Sequence, residues 1–137
     1  MIVYLVGSLR NPHVLEVAAA LRNAGHEVIE DWYAAGSEAD EKWKEYEQGR
    51  GRTFVEALDG LAATHVFDFD YRELKRAEAV VLVAPAGKSA HLELGVAIGS
   101  GKKGYYLLDS DDIRWDVMLK FCDKVVESVE ELVKELG

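Results

Sequence analysis

The sequence is short of cysteine, of basic residues and of long hydrophobic runs. Cys122 is the one cysteine in 137 residues, so no disulfide can form within the chain. Asp and Glu number 25 against 16 Lys and Arg, and the net charge of −9 argues against partners that attract basic proteins, nucleic acid and anionic membranes. Met1 leads straight into a short apolar run, with no signal peptide and no spanning segment. We therefore expect a soluble protein of the cytoplasm with neither nucleic acid nor membrane as partner.

The chain also lacks a Ser/Pro-rich linker, a low-complexity tract and an internal repeat. With 137 residues and 49% hydrophobic content, it is long enough to bury one core and too short for two domains. We expect a single domain over residues 1–137.

Apolar runs alternate with helical patterns along the chain. A helical stripe at residues 14–24 closes at Gly25, and a last helix opens at Ser128 with Glu131 at the spacing of a capping box. Five short apolar runs predict strands, at residues 2–6, 26–32, 79–84, 104–108 and 124–126. The alternation predicts an α/β fold of the flavodoxin-like or Rossmann-like kind, a five-stranded parallel sheet with helices on both faces.

A polar insertion at about residues 34–68 is too long for a plain crossover between the second and third strands. One or two helices here would form a lid or wall over the carboxyl edge of the sheet. A solvated acidic helix at residues 38–47 is the open alternative. Trp32, at the end of the second predicted strand, is a candidate for stacking on a flat ligand, although aromatic side chains more often belong to a core.

Glu93 is the acidic residue in the most unusual setting. It follows the third strand and its Pro/Gly turn, and we place it in the first turn of a mostly buried helix with Leu92, Val96 and Ile98. Open α/β sheets bind ligands at the carboxyl ends of central strands. Complementing a helix N-terminus would stabilise a Glu by about 0.3–1 kcal/mol. The apolar neighbours favour a functional carboxylate over that simpler account.

Two familiar phosphate motifs fail here. The Gly-Lys-Ser at residues 87–89 lacks the Walker A glycine five positions earlier, where Leu82 stands. The Gly-x-Gly-x-x-Gly at residues 99–104 follows a helix and precedes a strand, the reverse of the dinucleotide-binding order. The turn after the first strand, with Gly7, Ser8 and Arg10, is the better anion site. An ordinary capped turn, with Asn11 as the N-cap and Pro12 at the first helical position, is the open alternative.

Other site classes are excluded in the same way. A phospho-acceptor receiver domain needs paired acids after the first strand, where Gly7 and Ser8 stand. His65 and His91 have no third ligand at useful spacing, so we expect no metal, and no organic cofactor.

Three segments in order carry a family resemblance: Tyr-Leu-Val-Gly-Ser-Leu-Arg at residues 4–10, Asp70 before the third strand, and Ser-Ala-His-Leu-Glu-Leu-Gly at residues 89–95. In this combination the chain resembles the nucleoside 2-deoxyribosyltransferase superfamily, which includes nucleoside 5′-monophosphate N-glycosidases. The resemblance implies that Glu93 is the nucleophile of a glycosyl-enzyme intermediate. It implies that Asp70 positions the sugar and nucleophile or handles a proton, and that Tyr4 hydrogen-bonds Glu93.

The resemblance also implies substrate contacts. Gly7, Ser8 and Arg10 would contact a 5′-phosphate. Gly87 stands where transferases commonly have Asp and the monophosphate hydrolases Ser, and Ser89 could supply a hydroxyl two residues later.

Asp116 and Met118 would reach into a neighbouring subunit, which implies a homodimer or higher homo-oligomer. The apolar side chains of Trp115, Val117, Met118 and Phe121 fit an interface or a core equally well.

The function implied is cleavage of the N-glycosidic bond of a (deoxy)nucleoside or its 5′-monophosphate, with transfer to another free base or to water. One alternative is a phosphoribohydrolase of the kind that releases cytokinin-type bases, whose loop motif Pro85, Gly87 and Glu93 match. The other is a non-catalytic nucleotide-binding sensor module on the same fold.

Overall fold

The computed structural model describes residues 1–108 and 114–137. The strands are β1 (Ile2–Gly7), β2 (Glu27–Ile29), β3 (Ala79–Val83), β4 (Lys103–Leu107) and β5 (Lys124–Val126). The α-helices are α1 (His13–Asn23), α2 (Ala39–Gly49), α3 (Phe54–Leu58), α4 (Leu61–Arg76), α5 (Lys88–Gly99) and α6 (Val129–Leu136). Short 3₁₀ helices occupy Asp31–Ala35 and Val117–Phe121.

All five strands are parallel and lie in the order β2-β1-β3-β4-β5, which confirms the predicted flavodoxin-like α/β fold. β3 lies at the centre and its five residues, Ala-Val-Val-Leu-Val, are all buried. A strand covered on both faces has no position for a polar side chain, which is why its sequence is a continuous apolar run.

Helices cover both faces of the sheet. Val3 and Leu5 of β1 point to the side where α1 and α6 pack, and Tyr4 and Val6 point to the side of α4 and α5. The alternation follows from the two-residue period of a strand. One strand therefore contributes to two separate clusters of buried side chains.

The second strand is shorter than predicted. β2 pairs with β1 through Glu27, Val28 and Ile29 and then gives way to the 3₁₀ helix at Asp31, so the prediction of a strand to residue 32 was wrong. An edge strand has one neighbour, and its length is limited by the residues that this neighbour can pair. The other strands agree with prediction to within one residue at each end.

The insertion between β2 and β3 folds into α2, α3 and the first half of α4. α3 begins with a capping box, in which Thr53 Oγ1 accepts from the Glu56 N–H at 3.2 Å and Glu56 Oε1 accepts from the Thr53 N–H at 3.0 Å. α4 runs without interruption past residue 68, where we had expected the insertion to end.

α6 begins at the predicted cap, Ser128, but the second hydrogen bond of the predicted capping box is replaced by another. Ser128 Oγ accepts from the Glu131 N–H at 3.1 Å, but Glu131 Oε2 accepts from the Glu127 N–H rather than from Ser128. None of the α-helices in the described ranges has both the length and the hydropathy needed to cross a bilayer.

Candidate active site

Glu93 lies on α5, which follows the central strand β3. Because the helix begins at Lys88, Glu93 stands in its second turn and not in the first, as we had predicted. The helix is also less buried than predicted: Ala90, Leu94 and Ala97 face the sheet, whereas Leu92 is 71% exposed and Val96 47% exposed.

Tyr4 holds the Glu93 carboxylate. The phenol is 1% exposed, and its O–H donates to Glu93 Oε2 at 2.9 Å. Burial raises the pKa of Glu93 to about 7, and the charge of Asp70 adds to the rise while the Tyr4 hydrogen bond opposes it. The predicted contact between Tyr4 and Glu93 is thus present, and the carboxyl group can change its protonation state near neutral pH.

Asp70 on α4 completes this group. Its own pKa is raised by burial, and its charge raises the pKa values of Glu93 and Tyr4. Burial is the first cause of the raised pKa of Tyr4 and the Glu93 charge the second, so the phenol stays protonated and serves as a donor. Three protein elements, β1, α4 and α5, therefore supply one hydroxyl and two carboxyl groups to one site.

The turn after β1 is tied to the end of β3. Asn11 is 8% exposed, and its side-chain amide donates to the Ala84 carbonyl at 3.3 Å while its Oδ1 accepts from the His13 N–H at 3.0 Å. Pro12, with φ −67° and ψ −17°, is the N-cap of α1 and His13 its first residue, so the predicted N-cap at Asn11 is one residue too early. The link between Asn11 and the end of β3 had no signal in the sequence.

Gly7, Ser8 and Arg10 form the surface of the same turn. Ser8 Oγ accepts from the Arg10 N–H at 3.1 Å, and the Arg10 side chain is exposed. A Cβ on Gly7 would lie 3.2 Å from Val14 Cγ2 and 3.3 Å from the Val83 carbonyl oxygen, so the backbones approach closely here. Donors and an exposed guanidinium thus lie at the start of α1.

Gly87 and His91 form a second loop-to-sheet link that the sequence did not indicate. The Gly87 carbonyl accepts from His91 Nδ1 at 2.7 Å, and the Tyr106 hydroxyl donates to His91 Nε2 at 3.0 Å. These bonds join the turn after β3 to β4 through the first turn of α5. No group of three or more His, Cys, Asp and Glu side chains that could hold a metal occurs in residues 1–108 and 114–137.

Trp32 lies beside the carboxyl end of β1. Its indole N–H donates to the Leu5 carbonyl at 2.7 Å, and its ring meets Tyr33 edge-on at a centroid distance of 5.7 Å. The side chain packs against both core clusters. Because its N–H is occupied, Trp32 can offer a ligand its ring and no hydrogen bond.

Ser89 lines a half-open cavity of about 510 Å³, whose other lining residues lie on α2, on α3 and in the segment between them. The insertion therefore lines a cavity that reaches the first turn of α5, and a lid or wall over the sheet edge stays a prediction. The cavity is lined by Asp40, Glu41, Trp43, Lys44, Glu47, Gln48, Arg52, Thr53, Phe54, Ala57 and Ser89.

Asp116 and Met118 lie at the start of the second 3₁₀ helix. Asp116 Oδ1 accepts from the Met118 N–H at 2.9 Å and caps the second 3₁₀ helix. The four apolar side chains of this segment are exposed, so their reading as core was wrong: Trp115 is 96%, Val117 73%, Met118 60% and Phe121 72% exposed.

Comparisons with known proteins find similar folds among solved structures. No protein family model and no curated protein matches the sequence. The 2-deoxyribosyltransferase of Bacillus psychrosaccharolyticus superposes with a TM-score of 0.66 and 17% identity over 97% of this chain and 90% of its own. The Clostridium botulinum CMP N-glycosidase BcmB superposes with a TM-score of 0.59 and 14% identity over 99% and 98%.

A conserved protein from Enterococcus faecalis V583 superposes with a TM-score of 0.66 and 12% identity over 99% of this chain and 96% of its own. Each alignment covers nearly the whole of both chains, so the shared fold includes the insertion and both ends of the sheet. The chain thus has the fold of a 2-deoxyribosyltransferase and a CMP N-glycosidase, which agrees with the superfamily resemblance of its sequence.

Proposed function

We propose that this protein cleaves the N-glycosidic bond of a (deoxy)nucleoside or its 5′-monophosphate and passes the sugar to another base or to water. The observation that carries the proposal is the hydrogen bond of 2.9 Å between the Tyr4 hydroxyl and Glu93, whose pKa the charge of Asp70 helps to raise. A partly buried carboxylate held by a protonated phenol at the carboxyl edge of a parallel sheet fits a nucleophile.

In the first step, an ionised Glu93 oxygen attacks the anomeric carbon. The bond from that carbon to the base nitrogen breaks, and the base leaves with the electron pair and takes up a proton. Charge in the oxocarbenium-like transition state is stabilised by the approaching carboxylate. Asp70, whose pKa burial raises, is our candidate for supplying the proton.

In the second step, a nitrogen of another base or a water oxygen attacks the same carbon. The bond to Glu93 breaks, the Glu93 carboxylate is regenerated, and the proton of the attacking group passes to Asp70, which supplied one in the first step. The acceptor decides whether the reaction is a transfer or a hydrolysis.

We assign the 5′-phosphate to the turn that holds Gly7, Ser8 and Arg10. The exposed Arg10 guanidinium and the N-terminal amides of α1, an 11-residue helix, are the donors that a phosphate needs. The Arg10→Ala variant should lose activity on monophosphates and keep activity on nucleosides.

We also propose that the protein forms a homo-oligomer through apolar side chains on its surface. Leu61 is 88% exposed on α4, Leu92 71% on α5, and Trp115 96% before the second 3₁₀ helix. Exposed apolar groups of this size favour contact with another subunit. Asp116 and Met118 would then act in the neighbouring site. Sedimentation at several protein concentrations tests this, and a monomer throughout would refute it.

The test of the reaction is product analysis with a panel of nucleosides and 5′-monophosphates, with and without a second free base. Free base and sugar phosphate would identify a hydrolase, and a new nucleoside or nucleotide a transferase. Glu93→Gln should abolish both products, whereas Glu130→Gln on α6 should not. Nucleotide binding without turnover of any substrate would refute the enzyme and favour a sensor.

A further inference from the structure

The cavity beside Ser89 lies one helical turn from the reacting carboxylate. Ser89 and Glu93 are four residues apart on α5, so their side chains lie on the same face of the helix, about 6 Å apart along its axis. A sugar whose anomeric carbon meets Glu93 would therefore hold its base within reach of the cavity. The volume of about 510 Å³ is ample for one heterocyclic base.

The walls of the cavity suit a flat ring. Trp43 and Phe54 line it and meet edge-on, with their centroids 6.2 Å apart and their planes at 73°. The Trp43 indole N–H is buried and has no acceptor within the described part of the chain. Buried polar groups of proteins are normally paired, so the unpaired indole N–H of Trp43 is available to donate to a ligand.

A buried ion pair supplies the polar chemistry. Glu47 on α2 is 3% exposed, and its Oε2 accepts from Arg52 Nη1 at 3.0 Å. A carboxylate has two oxygens with about four acceptor sites, so one bond from Arg52 leaves capacity for a ligand N–H group. Asp40 and Glu41 line the same cavity.

Charge distinguishes this cavity from the turn after β1. The cavity is lined by three acidic and two basic side chains: Asp40, Glu41, Glu47, Lys44 and Arg52. In the turn after β1, the exposed charge is the Arg10 guanidinium. An anionic phosphate is favoured at the turn and a donor-rich ring at the cavity. The two ends would orient a nucleotide across Glu93.

We propose that the cavity between α2, α3 and Ser89 binds the base and selects bases that carry an exocyclic amino group. The inference rests on the proposed N-glycosidic reaction and names its substrate class. An amino group donates to the Glu47 carboxylate, whereas the carbonyl oxygen of an oxo base at the same place meets a negative charge. Cytosine and adenine are the amino bases of the two ring sizes, and uracil and hypoxanthine are their oxo counterparts.

The first experiment compares kcat/KM for matched 5′-monophosphates, cytidine against uridine and adenosine against inosine. The wild type should prefer the amino base by about tenfold or more in at least one pair, because an unpaired polar group in the site penalises the wrong base. Glu47→Gln should cut that preference to below about threefold. Glu45→Gln, on the same helix but exposed, should leave it unchanged.

A second variant covers the case in which Glu47→Gln does not fold. Ser89→Leu changes an exposed residue that lines the cavity and leaves the ion pair intact. It should raise KM for the preferred nucleotide by about tenfold, because the added side chain occupies the space of the base. An unchanged preference for amino bases in Glu47→Gln together with an unchanged KM in Ser89→Leu would overturn the assignment of the base to this cavity. If the wild type still cleaves nucleotides, the proposed function stands even then.

Binding of free bases provides a readout without turnover. Cytosine, uracil, adenine and hypoxanthine are titrated onto the Glu93→Gln variant, and the indole N–H resonance of Trp43, assigned with Trp43→Phe, is followed by NMR. Tighter binding of an amino base with a shift of that resonance supports the subsite, even if no nucleoside is cleaved. Absence of binding, or a shift at Trp32 or Trp115 alone, refutes it.

Discussion

The two faces of the sheet are made from the same strands, yet they differ in chemistry. Towards α1 and α6, β1 and β4 present Val3, Leu5, Tyr105 and Leu107 to a cluster that is otherwise aliphatic. Towards α4 and α5, β1 presents Tyr4, which binds a carboxyl group. One face stabilises the fold, whereas the other has a partly buried carboxyl group bonded to one of its core residues. Burial of a carboxyl group is unfavourable, which makes its presence on one face alone an indication of function.

The largest expected effect is the loss of turnover when Glu93, on the α4 and α5 face, is replaced. Glu93→Gln keeps the shape and an acceptor for Tyr4 and removes the nucleophile, so turnover should fall by roughly 10⁴-fold. Product formation from the best substrate of the panel measures this. A loss of less than about tenfold would mean that the reaction does not use Glu93 as its nucleophile.

The next effect is the dependence of stability on pH. The carboxyl group of Glu93 has a pKa of about 7 in the folded protein against 4.5 as the ordinary value. Below pH 4.5 both states hold the proton, and between 4.5 and 7 the unfolded state alone releases it. The free energy of unfolding should therefore fall by about 3 kcal/mol over this range and stay level above it.

Urea unfolding from pH 4.5 to pH 8 compares the wild type with Glu93→Gln. All other groups titrate in both proteins, so the difference between the two curves belongs to Glu93, and the variant should be the more stable at pH 8. Activity should rise with pH through about 7, since the nucleophile must be ionised. Parallel curves would contradict the raised pKa.

Gly104 tests how closely the helix with Glu93 must pack on the sheet. A Cβ added there would lie 2.5 Å from Ile98 Cγ1 and 3.2 Å from Leu94 Cδ1. Gly104→Ala should destabilise the protein by about 1–3 kcal/mol and displace α5. Gly99→Ala, where a Cβ meets nothing within 4 Å, is the control. Thermal unfolding measures both, and equal stabilities would contradict the close packing.

The smallest effect should come from the phenol. Tyr4→Phe removes the hydrogen bond that lowers the pKa of Glu93, so this pKa rises and the ionised fraction at pH 7 falls. We expect kcat/KM at pH 7 to fall about five- to tenfold and to recover at higher pH. Tyr105→Phe, on the opposite face of the sheet, should change neither kcat/KM at pH 7 nor its dependence on pH. A loss that is the same at every pH would contradict this role.

Much of the sheet and part of the site could be predicted from the sequence. β3 is recognisable because five apolar residues in a row suit a strand covered on both faces. Tyr4 and Glu93 could be paired through the family resemblance. The two residues are 89 positions apart in the chain. No local pattern could have indicated that contact, because it depends on how β1 lies beside β3.

The rest depended on tertiary structure. The position of Glu93 was set one turn too early because a helix start at Lys88, without a side-chain cap, leaves no mark in the sequence. Leu92 was expected to be buried because apolar residues usually are, and its exposure on α5 could not be read from a uniformly apolar helix. The cap at Thr53 and Glu56 was missed although its spacing is a known signal.

The most direct test of the account is intact-protein mass spectrometry after rapid acid quenching with a turned-over nucleoside or nucleotide. We expect an added mass equal to the sugar or sugar phosphate, located on the peptide that contains Glu93 and missing in Glu93→Gln. A glycosyl adduct on another residue, or turnover that survives Glu93→Ala, would contradict it.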